Sequence, residues 1–340
     1  MPAPDEKKPP NSYAAAGVSI ERGNEAVRRI RPLAAMAARP EVMGTIGNFA
    51  GGFRLNEAEL LAGADGVGSK LLLAQEMNRF DSIGIDLVAM NVNDVLAAGG
   101  EPLFFLDYIA MGRVIPEKIE ELVAGMARGC QESGAALLGG ETAEMPELYP
   151  QDTFDLSGFA VGRRVFSPAR AAREGDVVLG LASSGFHANG YGLVRAIAKH
   201  SRLSWDACLP ELEHRPLGEV LLAPTTIYVR AVMDLWSQLN VGAMAHITGG
   251  GLVENVPRTL EGLGAVIHLD SWPRPAEMAL FQRWGAIEES EMLRTFNCGI
   301  GFTLTVKPGD DVRACAILAQ HGIPAWAIGT ITGDAGVRFV

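Results

Sequence analysis

The sequence is poor in the features that mark several large classes of protein. Lys and Arg number 29 against 40 Asp and Glu, a net charge of −11, so the chain lacks the basic surface that nucleic acids and anionic membranes require. No stretch of about 18 residues is continuously apolar, so no membrane span is expected. The opening segment MPAPDEKKPPNSY has no apolar core of the kind found in secretory signals. We therefore expect a cytoplasmic protein that binds neither nucleic acid nor membrane.

Cysteine is also scarce. The chain has four cysteines, none in a C-x-x-C pair and none with a histidine at zinc-finger spacing, at Cys130, Cys208, Cys298 and Cys315. Structural zinc sites need such spacing, so a zinc ribbon is not expected. Unpaired thiols fit the reducing environment of the cytosol.

Length and patterning predict two domains. With 340 residues and 48% hydrophobic content, the chain is long for a single core. Strand-like and helix-like segments alternate through both halves, which is typical of α/β (mixed α+β) proteins. A charged, proline-containing stretch, RRVFSPARAAREG, occupies residues 163–175 and separates the halves. We predict a mobile tail (1–12), an N-terminal domain (13–165) and a C-terminal α/β domain (170–340).

Hydrophobic periodicity and turn residues locate the main elements. The first helix is expected to be interrupted at Pro32, because proline lacks the N–H that a helix interior uses. A short helix is expected after the triple glycine at residues 249–251. The predicted helices cover residues 14–40, 83–98, 118–133, 191–200, 275–284, 287–295 and 311–321, and the predicted strands cover residues 59–64, 103–110, 134–146, 154–162, 176–182, 265–269, 299–306 and 325–332.

The most informative stretch runs from residue 61 to residue 107. Four of the aspartates there, Asp65, Asp86, Asp94 and Asp107, lie in largely apolar sequence. An ionised carboxylate is costly to bury alone, so each should meet a cation, a metal or hydrogen-bond donors. Gly66 and Gly68 follow the first aspartate and precede Lys70, where their N–H groups could approach a phosphate. The group predicts a metal–nucleotide site; the alternative is a turn at the first aspartate, with two of the others as helix caps.

Two glycine loops in the second half are candidate phosphate contacts. The loop SSGFHANGYG leads into the helix predicted at 191–200, so free N–H groups and the positive end of the helix dipole would face an anion. In HITGGG, Gly249 to Gly251 precede a second helix. The alternative for each loop is a plain connection whose glycines relieve crowding. His187 and His246, which lie in these two segments, are candidates for catalysis or phosphate binding, with capping or core roles as the alternative.

Three familiar motifs are missing. Gly63 and Gly68 are spaced as in a P-loop, but Ser69-Lys70 reverses the order of Lys and Ser/Thr that such a loop needs. No G-x-G-x-x-G lies between a strand and a helix, and no G-x-S-x-G elbow is present. The remaining interpretation is a metal site with oxygen ligands, in which carboxylates and substrate phosphates bind Mg²⁺.

Taken together, the motifs of this chain resemble those of the phosphoribosylformylglycinamidine cyclo-ligase family. The matching stretches follow the family's order and span nearly the whole chain beyond the tail. They are AGVSIERGN (16–24), RPEVMG (39–44), DGVGSKL (65–71), IGIDLVAMNVND (83–94), EPLFFLDY (101–108), GGETAEMP (139–146), HANGYGLVR (187–195), LLAPTTIYV (221–229), HITGGGLVENVPR (246–258) and EMLRTFNCGIG (291–301).

The resemblance implies an ATP-dependent ring closure. ATP would phosphorylate the formyl amide oxygen of formylglycinamidine ribonucleotide, and the amidine nitrogen would then displace phosphate from this iminophosphate to give aminoimidazole ribonucleotide. It also implies a homodimer, in which the N-terminal halves pair into a shared barrel. ATP and Mg²⁺ would be required, with ADP and phosphate released.

The resemblance implies residue roles as well. The metal would be held by Asp65, Asp94 and Glu141, and the catalytic residues would be His187, Lys70 and Asp94, with Lys70 offsetting phosphate charge. The implied nucleotide contacts are Asp65, Gly66, Gly68, Lys70, Asp94, Glu141 and Asn189, and the implied substrate contacts are His246, Gly249, Gly250 and Gly251. The chain departs from the family's pattern at Ser19, at Arg31 and near Met111, which leaves details of those regions open.

Two other functions compete with this interpretation. Relatives of the same architecture, such as selenophosphate synthetase, thiamine-phosphate kinase and the hydrogenase maturation protein, also use ATP. The first of these needs a reactive cysteine near the N-terminus, and the first cysteine here is Cys130. A catalytically silent nucleotide-binding protein is the second alternative, and the intact set of carboxylates argues against it.

Overall fold

The computed structural model describes residues 9–45, 47–150, 153–166 and 172–340. Most of the predicted tail (1–12) and the centre of the predicted boundary stretch therefore lie outside the described residues. Within the described ranges, none of the helices is long and apolar enough to cross a membrane.

The described chain alternates between strands and helices in both halves, with two short 3₁₀ turns at Pro210–Leu212 and Val256–Thr259. In the first half the elements are α1 (Ile20–Met36), β1 (Val42–Met43), β2 (Gly51–Leu55), β3 (Ala58–Gly66), α2 (Lys70–Met77), α3 (Ile83–Ala97), β4 (Gly100–Met111), α4 (Pro116–Ser133), β5 (Ala136–Glu144) and β6 (Phe154–Arg164). In the second half they are β7 (Val177–Ala182), α5 (Tyr191–His200), α6 (Leu217–Leu221), α7 (Val229–Gln238), β8 (Val241–His246), α8 (Gly251–Asn255), β9 (Gly264–Ile267), α9 (Ala276–Gly285), α10 (Glu289–Thr295), β10 (Ile300–Val306), α11 (Asp311–Gln320), β11 (Ala325–Thr332) and β12 (Gly336–Phe339).

Each half builds one six-stranded sheet. The first sheet has the order β1-β2-β3-β6-β4-β5, with only β4 and β5 parallel, and the second has the order β12-β9-β11-β7-β10-β8, with only β12 and β9 parallel. Asp65, near the end of β3, lies opposite Gly158 of β6, and β5 forms one edge of its sheet. The predicted mixed α/β fold with two such halves is confirmed.

Helix α3 is the element that joins the two halves. It packs on β3, β4 and β6 of the first sheet and also against β8 of the second. Its sequence, IGIDLVAMNVNDVLA, is apolar on all sides, as expected of a helix covered on every face. Every residue of α3 is buried except Asp94. The helix therefore offers a single side chain to solvent, and that side chain is one of the predicted site residues.

A close crossing of α3 and α4 leads to a testable prediction about Gly84. A Cβ at this position would lie 2.1 Å from the Leu122 carbonyl oxygen and 2.5 Å from the Met126 nitrogen, both backbone atoms that cannot move aside. We expect Gly84→Ala to lower the free energy of unfolding by about 3 kcal/mol, the upper end of overpacking effects. Gly23→Ala is the control, because a Cβ there meets nothing within 4 Å. Urea unfolding of both variants measures the difference; equal stabilities would contradict so close a crossing of the two helices.

The structure corrects several sequence-based expectations. Pro32 lies within α1, which continues through it from Ile20 to Met36. No residue of α1 is buried, so water can satisfy the carbonyl group that the proline leaves without an N–H partner. Periodicity also missed α2, α7 and β8. Both α7 and β8 lie in a part of the chain for which no element was predicted.

Candidate active site

The polar residues of α3 bind different parts of the molecule. Asn91 donates to the backbone oxygen of Asp65 (3.3 Å) and so ties the end of β3 to the helix. Asn93 donates to the Thr226 carbonyl (2.9 Å) and accepts from the Tyr228 N–H (3.0 Å). These hydrogen bonds give partners to the buried side-chain amides of Asn91 and Asn93. Those of Asn93 also fix the first half against the second.

Asp94 and Asp65 approach one another at the opening beside α3. Oδ1 of Asp94 lies 2.8 Å from Nδ1 of His246, the last residue of β8. The pKa of Asp65 is raised to about 6, first by burial and then by the negative charge of Asp94, while the Gly66 N–H and His246 offset part of these effects. The sequence predicted all three residues, and the structure brings together two carboxylates from the first half with a histidine from the second.

His187 lies beneath this pair as a fully buried side chain. Its Nε2 accepts from the backbone N–H of Ser184 (3.2 Å) and faces the N–H of Thr226 at 3.5 Å. Its φ of 60° is in the left-handed region that non-glycine residues rarely adopt, which marks a strained position. Burial holds the pKa of His187 well below its usual range, and the nearby His246 and Lys70 lower it further. The ring is therefore neutral at physiological pH.

A cavity of about 440 Å³ separates the Asp65 loop from the α5 loop. Asp65, Gly66 and Gly68 line one wall, and Asn189 and Gly190 line the other. At the start of α5 the Gly190 N–H donates to the Tyr13 hydroxyl (3.3 Å), so a residue from the N-terminal segment reaches into the cavity. Sequence reasoning missed Tyr13, because a tyrosine after a Pro-rich tail carries no signal of its own. It also missed Ser69, Met90, Asp155 and Ser157, which complete the lining.

Lys70 is placed differently from the prediction. Its side chain is fully buried, and Nζ lies 2.7 Å from Oδ2 of Asp86 and 2.7 Å from the Ala223 carbonyl oxygen. Burial lowers the pKa of Lys70 and raises that of Asp86, and each charge partly offsets the shift of the other. In this arrangement the ammonium is enclosed and already has two oxygen partners, and the phosphate contact of Lys70 stays a prediction.

Glu141 does not join the other two predicted metal ligands within one chain. It lies exposed on the edge strand β5, opposite Tyr108 of β4, whereas Asp65 is on β3, which β4 and β6 separate from β5. No three His, Cys, Asp or Glu side chains of the described residues converge as a metal cage. Of the three predicted metal ligands, Asp65 and Asp94 are thus the two that approach one another within the described chain, and the metal role of Glu141 stays a prediction.

The triple glycine divides into one residue near the cavity and two explained by packing. A Cβ on Gly251 would lie 2.0 Å from the Leu293 carbonyl oxygen, and one on Gly250 would lie 2.8 Å from Cβ of Glu254. Gly249 has only the Asn189 amide oxygen nearby, at 3.7 Å. Asn255 holds the loop by donating to its carbonyl groups. Packing thus accounts for the glycines at 250 and 251, and the substrate contacts of Gly249, Gly250 and Gly251 stay predictions.

The carboxylate pair fits Mg²⁺. Two like charges close enough to raise the pKa of Asp65 gain stability when a divalent cation lies between them. Mg²⁺ commonly binds through one or two carboxylates together with substrate phosphates and water, so a complete protein cage is not needed. Asp65 and Asp94 are the residues that would hold it.

The lowered pKa of His187 predicts how acid affects stability. A histidine whose pKa is lower in the folded than in the unfolded state stabilises the fold fully above the unfolded value of 6.5, and this contribution is lost as pH falls below it. Relative to His187→Asn, the wild type should lose up to about 1.4 kcal/mol of unfolding free energy per pH unit below 6.5. Urea titrations from pH 7 to pH 5 measure the difference. If the unfolding free energies of the wild type and His187→Asn change with pH in parallel, the His187 ring takes up a proton as freely in the folded protein as in the unfolded one.

Both halves of this chain match known proteins. The AIR synthase related protein N-terminal domain matches residues 47–164, and the C-terminal domain of that family matches residues 173–340. A phosphoribosylformylglycinamidine cyclo-ligase of Desulfitobacterium hafniense is 49% identical over 97% of this chain and 99% of its own length. One from Nitrosospira multiformis is 48% identical over 96% and 94%.

Similarity to solved structures supports the same fold. PurL of T. maritima complexed with AMPPCP has a TM-score of 0.55 and 18% identity, over 85% of this chain and 43% of that one. Such a likeness supports the architecture alone. The two domain models and the near-full-length relatives carry the assignment: the chain belongs to the phosphoribosylformylglycinamidine cyclo-ligase family.

Proposed function

We propose that this protein converts formylglycinamidine ribonucleotide to aminoimidazole ribonucleotide in purine biosynthesis, with ATP as the activating substrate. The observation that carries the proposal is that Asp65 from the first half lines one cavity with Asn189 from the second. The charges of Asp94 and of its partner His246 also act on Asp65. Neither half could form this site alone. Relatives about half identical over nearly their whole length carry the name of this activity.

The chemistry needs an activated oxygen. An amide oxygen is a poor leaving group, so the formyl oxygen attacks the γ-phosphorus of ATP and ADP departs, which leaves an iminophosphate. The amidine nitrogen then attacks the same carbon, the C–O bond breaks, and phosphate leaves as the nitrogen loses a proton. Bound Mg²⁺ would neutralise phosphate charge as a Lewis acid.

The chain's own residues orient and enclose these groups. His246 is held by Asp94 through Nδ1, which fixes the direction of that carboxylate toward Asp65. Asn189 and the Gly66–Gly68 segment face each other across the cavity, where their polar groups would hold the phosphates of ATP. The ATP analogue bound by the PurL relative agrees with a nucleotide in this fold. Glu141 remains a predicted nucleotide contact.

A direct assay tests the proposal. Purified protein with Mg²⁺–ATP and formylglycinamidine ribonucleotide is expected to form aminoimidazole ribonucleotide and ADP in equal amounts. Omission of the ribonucleotide is the control and should leave ATP intact. ATP hydrolysis without the imidazole product, or phosphoryl transfer to thiamine phosphate instead, would reject the assignment. A cytoplasmic location remains a prediction.

We also propose that the chain forms a homodimer through the first sheet. Leu138, Leu106 and Phe159 are 62%, 37% and 43% exposed and lie on neighbouring strands, where Leu106 faces Phe159 across the β4–β6 ladder. The adjacent strand β5 is an open edge, and exposed edges of this kind invite pairing with another chain. A contiguous apolar face beside an open edge is typical of subunit interfaces.

Sedimentation measures the mass of the protein in solution and so tests for the dimer. The wild type is expected to sediment at twice the 36.1 kDa chain mass, and Phe159→Asp should shift it to the monomer. Val312→Asp is the control, since Val312 is 76% exposed on α11 of the other half. A monomeric wild type, or dissociation by both variants alike, would reject this interface.

A further inference from the structure

The buried pair Lys70–Asp86 lies at the boundary between the halves and contacts a segment that leads to His187. Asp86 Oδ1 accepts from the Thr225 N–H (2.8 Å) and from its hydroxyl (2.6 Å). Lys70 donates to the carbonyl of Ala223, two residues earlier. The pair therefore holds both ends of a three-residue stretch, and the side chains of Lys70, Asp86 and Thr225 are all buried.

This segment determines the environment of the histidine. Thr226 directly follows the residue held by Asp86, and its N–H faces Nε2 of His187. Ser184, whose N–H also donates to Nε2, is tied to the same segment through its hydroxyl, which donates to the Pro224 carbonyl (2.5 Å). Two backbone donors thus converge on one ring nitrogen, and both depend on the position of residues 223–226.

The hydrogen-bond pattern fixes the tautomer of the ring. A nitrogen that accepts from an N–H has no proton of its own, so the proton of the neutral imidazole lies on the other nitrogen. Nδ1 is buried and has no protein partner among the described residues. The proton of the neutral ring is therefore placed on Nδ1, the nitrogen that does not face the two backbone N–H groups.

We propose that Lys70, Asp86 and Thr225 are positioning residues that hold His187 as the Nδ1–H tautomer by fixing residues 223–226. They act across the boundary between the halves and do not touch the reacting atoms. Tyr191 completes the enclosure, because its ring lies 5.6 Å from the Lys70 ammonium and its hydroxyl donates to the Leu221 carbonyl. The effect on catalysis rests on the function proposed above, whereas the tautomer does not.

The first test is a spectrum of the protein itself. In protein labelled with ¹⁵N-histidine, the wild type is expected to show His187 with a bonded proton on Nδ1 and none on Nε2. The signal is assigned by its loss in His187→Asn. A proton on Nε2, or on both nitrogens, would overturn the proposal whether or not the enzyme is active.

The second test uses Thr225→Val, which removes the hydroxyl and keeps the shape. We expect a mixture of tautomers and a kcat about tenfold lower, with KM for both substrates within about twofold. Thr225→Ser restores the hydroxyl and should restore both properties. Thr305→Val is the matched control, since the Thr305 hydroxyl is buried without a partner among the described residues. An unchanged tautomer and kcat in Thr225→Val would overturn the proposal; if this variant does not fold, the wild-type spectrum decides.

Discussion

Replacing Asp94 by Asn is expected to lower kcat/KM by at least about 100-fold, the largest effect on activity that we expect from a single substitution. The change keeps the size of the side chain and removes its charge. It would weaken the bond with His246 and leave Asp65 as the only carboxylate of the pair for the metal. Steady-state assays at the Mg²⁺ concentration that saturates the wild type measure the loss, and part of it should be recovered at a higher Mg²⁺ concentration.

Asp234→Asn is the control for this substitution. Asp234 lies on the surface of α7, where it binds His321 at 2.7 Å, far from the cavity. Its replacement should leave turnover within about twofold of the wild type, as is usual for exposed ion pairs. Near wild-type turnover of Asp94→Asn would show that the reaction takes place elsewhere.

Replacing Lys70 by Met is expected to lower the free energy of unfolding by about 3–5 kcal/mol. The substitution leaves Asp86 charged and without its cation in a fully buried position. The double variant Lys70→Met/Asp86→Asn should lose less than Lys70→Met alone, because no unpaired charge remains while an oxygen still accepts from Thr225. Urea unfolding of the two single variants and the double variant gives the coupling.

The exposed pair Arg79–Glu219 is a matched control that also joins the two halves. Its side chains are 45% and 50% exposed, so Arg79→Met should cost less than about 1 kcal/mol. If Lys70→Met and Arg79→Met have the same small cost, the enclosure of Lys70 in the structure is wrong.

The sequence predicted α3 well because its signal is local. A long apolar run with helical spacing was predicted at 83–98, and the helix covers Ile83–Ala97. Residue pattern alone could not distinguish the roles of Asp86 and Asp94, which are eight positions apart and so lie about two turns from each other on the same helix; only the family resemblance singled out Asp94. Asp86 meets Thr225 and Asp94 meets His246, and that difference arises only when distant parts of the chain pack together.

The contacts of Lys70 likewise could not be predicted from the local sequence. Its position after two glycines favoured a phosphate contact, and no local pattern revealed that Ala223 would supply a buried acceptor. Tyr13 lies at the cavity because the N-terminal segment crosses from one half to the other. By contrast, the sequence singled out His187 because a glycine loop before a helix carries its own conformational signature, whereas Asn189 was implied by the family resemblance.

The most direct test follows the formyl oxygen. Formylglycinamidine ribonucleotide carrying ¹⁸O in the formyl group is incubated with the protein, Mg²⁺ and unlabelled ATP, and the products are examined by mass spectrometry. We expect the label to appear in inorganic phosphate as aminoimidazole ribonucleotide forms, because phosphorylation makes this oxygen the leaving group. Phosphate without label, with the ¹⁸O released into water, would contradict activation of the formyl oxygen by ATP.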